Sequence, residues 1–146
     1  MKQGFIGFGN LAKAVYRGLE KEEQMEFGYF DLSQKEVNVP YFEEMGHLLV
    51  FADVIWLTVK PQDLGNVLMQ LKQHDISGKT IVSPVAGKPI AYIEQFLGKE
   101  QRVVRIMPNL AMAYRKSVTA FATNQPGNRE AMKIYELLGK LGKVVE

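Results

Sequence analysis

The chain has 146 residues, 47% of them hydrophobic and 23% charged. That size and balance fit one globular unit whose core is large enough to fold without metal or cross-links. It contains no cysteine, which excludes disulfide frameworks, thiolate zinc sites and cysteine nucleophiles, and its 18 basic and 16 acidic residues leave a net charge of only +2, with no Lys/Arg stripe of the kind a nucleic-acid surface needs.

No apolar leader stretch opens the chain. The longest apolar segment, Leu48 to Val59, contains Asp53 and is too short to span a bilayer. The expectation is a cytoplasmic protein with neither a membrane nor a nucleic acid as partner.

Taken in order, strand-like and helix-like segments alternate. Gln3 to Ile6 reads as a strand that runs into a glycine turn, and Asn10 to Glu20 as a helix with Leu11, Val15 and Leu19 on one side. Phe27 to Phe30 is a second strand ending at Asp31. Glu36 to Val39 is expected to form a short third strand, and Pro40 to open a helix over Tyr41 to Phe51. Val54 to Val59 is nearly all apolar, as in a strand buried on both faces of a parallel sheet. Asp63 to Gln73 predicts a helix, Thr80 to Ser83 a strand, Ile90 to Leu97 a helix and Arg102 to Met107 a strand stopped by Pro108. Ser117 to Thr123 follows after a loop too short for a parallel crossover, so this edge is expected to be antiparallel. Arg129 to Leu141 predicts a helix, and Val144 and Val145 the start of a last strand. The fold class is α/β: a Rossmann-type, doubly wound, mostly parallel sheet with helices on both faces. Residues 1–146 then read as one dinucleotide-binding domain, the front part of a longer protein.

The sharpest motif is Gly7-Phe8-Gly9-Asn10-Leu11-Ala12, the pattern G-x-G-x-x-A between a strand and a helix. Gly7 permits the tight turn, Gly9 lets a pyrophosphate approach the backbone, and Ala12 lets helix and strand pack closely. The helix then offers unpaired N–H groups and the positive end of its dipole. Asp31 lies 24 positions after Gly7, near the spacing for a carboxylate that reads a ribose 2′-hydroxyl, which favours NAD. Ser33 and Lys35 can instead hold a 2′-phosphate, and Asp31 can simply open a turn. Three further segments sit at predicted strand ends, where ligands of open α/β sheets bind. They are Thr58-Val59-Lys60-Pro61, Ser83-Pro84-Val85-Ala86-Gly87 and Met107-Pro108-Asn109. The small residues of the second suit a nicotinamide ring, and Asn109 can donate and accept. His47 and His74 fall on helices, away from these ends, and nothing in the sequence forms a metal site or a general acid.

Four segments in this order, Gly4 to Ala12, Thr58 to Pro61, Val82 to Gly87 and Val103 to Asn109, resemble the pyrroline-5-carboxylate reductases. The resemblance covers nearly the whole chain. It implies a Rossmann domain that binds NADPH or NADH, followed by a helical domain that dimerises and completes the site of a small imino-acid substrate, 1-pyrroline-5-carboxylate, which is reduced to L-proline. By resemblance, Ile6, Gly7, Phe8, Gly9, Asn10 and Leu11 line the pyrophosphate. Asp31, Leu32 and Ser33 lie at the adenosine ribose, Thr58, Val59, Lys60 and Pro61 at the middle of the cofactor, and Pro84, Val85 and Ala86 beside the nicotinamide. Asn109 falls near ring and substrate. Leu110-Ala111 stands where the family usually has Thr-Pro, and Val85 where it often has Ala. The helical domain is expected to lie beyond Glu146, so the isolated chain is expected to bind cofactor and turn over little or no substrate, and its state as a homo-oligomer is left open. Two other readings stay in view: a non-catalytic nucleotide-binding or regulatory module, and a related dehydrogenase of the β-hydroxyacid or prephenate type.

Overall fold

The computed structural model describes residues 1–146. Eight strands form one sheet in the order β3-β2-β1-β4-β5-β6-β7-β8. These are β1 (Lys2–Ile6), β2 (Glu26–Phe30), β3 (Tyr41–Phe42), β4 (Val54–Leu57), β5 (Thr80–Ser83), β6 (Val103–Met107), β7 (Ser117–Thr123) and β8 (Gly142–Val145). All neighbours are parallel except β6 and β7, whose antiparallel register pairs Val104 with Thr123 and Met107 with Ala120. A 3-10 turn over Leu110–Tyr114 fills the short connection between them. The doubly wound sheet with an antiparallel C-terminal edge is the expected one.

Helices cover both faces. On one side α1 (Asn10–Leu19) and α5 (Arg129–Gly139) close a core with Phe5, Trp56, Val82, Val104 and Ile106. On the other, α2 (Met45–Phe51), α3 (Leu64–Leu71) and α4 (Ile90–Leu97) cover Ile6, Ile55, Leu57, Ile81 and Val103. Successive residues of β4 alternate between these cores, as do Phe5 and Ile6 at the end of β1, which is why Val54 to Leu57 reads as an unbroken apolar run. Within the first core the Trp56 indole N–H donates to Gln3 Oε1 at 2.7 Å, so the two polar atoms buried there satisfy each other.

The stretch after β2 departs from the sequence expectation. Glu36 to Val39 is not a strand, and no helix begins at Pro40. The Tyr29 hydroxyl accepts from the Lys35 N–H at 2.8 Å and gathers this segment into bends. The Pro40 carbonyl accepts from the Tyr29 N–H at 3.0 Å, so proline leads into the edge strand β3, where its missing N–H faces no partner. The helix starts only at Met45.

Candidate functional site: a cleft at the switch point of the sheet

Strand order reverses between β1 and β4, the place where doubly wound sheets open a crevice at their carboxyl ends. Gly7 leaves β1 with φ +83°, and a Cβ there would lie 2.6 Å from the Thr58 carbonyl oxygen. Only glycine meets both conditions. The turn is braced from three sides. The Gly7 N–H donates to the Phe30 carbonyl at 2.8 Å, the Thr58 hydroxyl donates to the Gly7 carbonyl at 2.5 Å, and the Phe8 N–H donates to Asp31 Oδ2 at 2.9 Å. The Phe8 ring itself is buried against Tyr29, with centroids 4.7 Å apart. Only its backbone belongs to the cleft.

Gly9 is the N-cap of α1 and carries no side-chain cap; nothing lies within 4 Å of where its Cβ would be. The first intrahelical bond runs from the Lys13 N–H to the Gly9 carbonyl at 3.0 Å. The N–H groups of Asn10, Leu11 and Ala12 are therefore left to point out of the helix. This is an anion-binding corner of unpaired amides at the positive end of a ten-residue helix.

Around this corner lies a cleft of about 630 Å³, within the size range of small-molecule sites. Gly7, Phe8, Gly9, Asn10, Leu11, Asp31, Leu32, Thr58, Val59, Lys60, Pro61, Pro84, Val85 and Ala86 all line it. A smaller hollow of about 270 Å³ continues past Asp31 and adds Ile6. Residues far apart in the sequence thus meet because β1, β2, β4 and β5 all end on one edge.

Two of the expected residues stand elsewhere. Ser33 is exposed and lines neither hollow, and Asn109 is exposed at the end of β6. The Asn109 side-chain Oδ1 accepts from the Ala111 N–H at 3.0 Å, which caps the 3-10 turn, so its local role is the turn residue that its position after proline suggests.

The sequence reading missed Asp63, Asn66, Val67 and Gln70, which line the smaller hollow from the start of α3. Lys35, which the sequence offered only as a partner for a 2′-phosphate, stands on the cleft wall with its ammonium 3.7 Å from Asp31 Oδ2. A half-apolar hollow of this kind, lined by Val59 and Val67 together with the amide side chains of Asn66 and Gln70, has the chemistry to take a heteroaromatic ring. The signal available beforehand was the spacing of Asp63, Asn66, Val67 and Gln70, one helical face directly after a strand end.

Residues 2–87, more than half of the chain, match the model of the family described as NADP oxidoreductase, coenzyme F420-dependent. The chain belongs to this family. Among relatives of similar sequence, the pyrroline-5-carboxylate reductase of Staphylococcus aureus is 30% identical over 158 aligned positions, covering 100% of this chain and 58% of the relative. Two solved structures are similar throughout the chain. Plasmodium falciparum pyrroline carboxylate reductase, with NADP bound, superposes with a TM-score of 0.91 at 25% identity, over 57% of its own length. The 1-pyrroline-5-carboxylate reductase of Streptococcus pyogenes gives 0.88 at 27% identity, again over 57% of its length. The chain therefore spans a little under three-fifths of the proteins it matches.

Proposed function

We propose that this chain is the cofactor-binding unit of an oxidoreductase that reduces 1-pyrroline-5-carboxylate to L-proline with a reduced nicotinamide dinucleotide, NADPH or NADH. The observation that carries the reading is the corner at Gly9: space beside its Cα, and three unpaired helix amides aimed into that space. A diphosphate fits this corner in charge, size and hydrogen-bond demand.

The remaining lining divides along the cleft. Gly7 to Leu11 hold the pyrophosphate, with the Gly7 carbonyl kept out of the way by the Thr58 hydroxyl. Asp31 and Leu32 border the adenosine ribose, with Ser33 next in the same loop, and Ile6, Val59 and Val67 receive the adenine. Lys60 and Pro61 border the middle of the cofactor. Pro84, Val85 and Ala86 form the floor beside the nicotinamide. When bound, the cofactor supplies the hydride that reduces the substrate's C=N bond. The chain's own contribution is to bind, orient and shield.

Titration calorimetry of the chain with NADH and with NADPH tests this reading. Binding of at least one in the micromolar range is expected, and it should be lost in Gly9→Val. Absence of heat with both nucleotides overturns it.

A further inference from the structure

The two hollows differ in charge, and the difference falls where the two nicotinamide cofactors differ. The smaller hollow carries two carboxylates, Asp31 and Asp63, and no cation among its lining residues. Taking the cleft as the cofactor site proposed above, this is the adenosine end, where NADPH carries a 2′-phosphate and NADH a hydroxyl. We propose that this end selects the non-phosphorylated cofactor, with Asp31 as the specificity-determining residue and Leu32 as the position that withholds a counter-charge.

The Asp31 carboxylate cannot turn aside cheaply. Its Oδ2 accepts from the Phe8 N–H at 2.9 Å and its Oδ1 from the Leu32 N–H at 2.8 Å, while its main-chain carbonyl accepts from the Tyr41 hydroxyl at 3.2 Å. Rotating the carboxylate away from an incoming phosphate breaks both of its hydrogen bonds, one of which holds the glycine turn. Each oxygen still has a lone pair for a ribose hydroxyl, so the arrangement that repels a phosphate accepts a diol.

One cation stands near these two carboxylates, and it is already engaged. Lys35 is the one cation on the wall at this end, and it is already 3.7 Å from Asp31 Oδ2. Its backbone is fixed as well, with the Tyr29 hydroxyl taking the Lys35 N–H at 2.8 Å. Leu32 follows Asp31 at the lip with its side chain 96% exposed. This is the place from which a long cationic side chain would reach a 2′-phosphate, and here it is apolar. A phosphate monoester of about −1.5 to −2 charge would enter beside two carboxylates and a single ammonium, surroundings that are themselves net negative. The family is described by NADP, and the Plasmodium falciparum relative holds it; the inference is that this chain departs from them at its adenosine end.

The test is a pair of calorimetric titrations, NADH and NADPH, at low and at high salt, on the wild-type chain and on Leu32→Arg and Asp31→Asn. NADH is expected to bind at least about tenfold more tightly at low salt, and the gap should narrow at high salt because the discrimination is between charges. Leu32→Arg, an exposed substitution that leaves the core untouched, is expected to move the NADPH-to-NADH ratio by about tenfold toward NADPH. Asp31→Asn should move it in the same direction. Because the readout is a ratio, a general loosening of the glycine turn does not imitate it. Equal or tighter binding of NADPH by the wild type, or an unchanged ratio in both variants, overturns the selectivity while leaving the cofactor reading intact. Binding of neither nucleotide by the wild type overturns both.

Discussion

The parallel half of the sheet and its antiparallel edge are made of similar strands, yet they present different things at their ends. β1, β2, β4 and β5 finish side by side, and what emerges there is backbone: the Gly7 turn, the bare Gly9 corner and the amides of α1. β6 finishes at the same edge, but the chain turns back at once into β7. There Asn109 caps a 3-10 turn instead of lining the cleft, and the side chains left outward are apolar, Met107, Leu110, Tyr114 and Val118. Connection geometry makes the difference. A parallel crossover leaves a helix N-terminus at the carboxyl edge, with its unpaired N–H groups, whereas an antiparallel return uses the same groups up in its own turn.

If that contrast holds, damage to the two regions should separate binding from stability. The largest effect belongs to Gly9→Val. The added side chain enters the space next to the unpaired amides, and its Cβ has no protein atom within 4 Å. Affinity for the preferred dinucleotide should fall at least about a hundredfold, ~2.7 kcal/mol by calorimetry, with a melting temperature within about a few degrees of wild type. A variant that unfolds, or one that still binds, breaks the contrast.

The opposite result is expected at the antiparallel edge. Gly142 has φ +146°, and a Cβ there would stand 2.5 Å from the Ser117 backbone nitrogen. Gly142→Ala should therefore cost about 2 kcal/mol in chemical denaturation, while the folded fraction keeps its dinucleotide affinity within about twofold. A parallel loss of affinity would mean that the edge and the cleft are coupled more closely than the hydrogen bonds indicate.

Thr58 sits where the two demands meet. Its hydroxyl donates to the Gly7 carbonyl and lies 3.2 Å from that of Ile6, tying β4 to the turn. Thr58→Val keeps the shape and removes the donor. It should cost about 1 kcal/mol of stability and a few-fold in affinity, a mixed outcome that neither glycine variant gives. Equilibrium unfolding and calorimetry on one preparation check both halves.

Much of this was legible in the sequence, for reasons that can be named. Gly7, Gly9 and Ala12 announce the turn because a strand-turn-helix with a backbone approach tolerates so few residue types. Val54 to Leu57 announces a central strand because both of its faces are buried. The loop after Asp31 was not legible. Its course depends on the Tyr29 hydroxyl reaching Lys35, a contact no periodicity encodes, and so Glu36 to Val39 passed for a strand and Pro40 for a helix start. Asp63, Asn66 and Gln70 were missed for a related reason: their helix is plain, but that it borders the end of β2 follows only from the strand order. Asn109 misled because a polar residue at a strand end looks alike whether it faces a ligand or caps its own turn.

The smallest predicted effect lies on the far side of α1, where the edge is fastened back to the cofactor half. Glu22 receives Lys140 Nζ at 3.1 Å and Arg115 Nη2 at 2.7 Å, and Arg115 Nε also donates to the Gly18 carbonyl at 2.9 Å. The hydrogen bond from Lys140, then that from Arg115, hold the Glu22 carboxyl below its ordinary range. A carboxyl depressed in the folded state stabilises fully above its unfolded value, and that contribution disappears as the pH falls through the folded one. Glu22→Gln should thus melt slightly below wild type at neutral pH, and the gap should close on acidification below the usual glutamate range. The group is solvent-exposed, so the gap should also shrink with added salt, whereas the affinity loss in Gly9→Val, which comes from occupied space, should not. A Glu22→Gln gap that survives both acid and salt would show that these contacts fasten the edge by packing and not by charge.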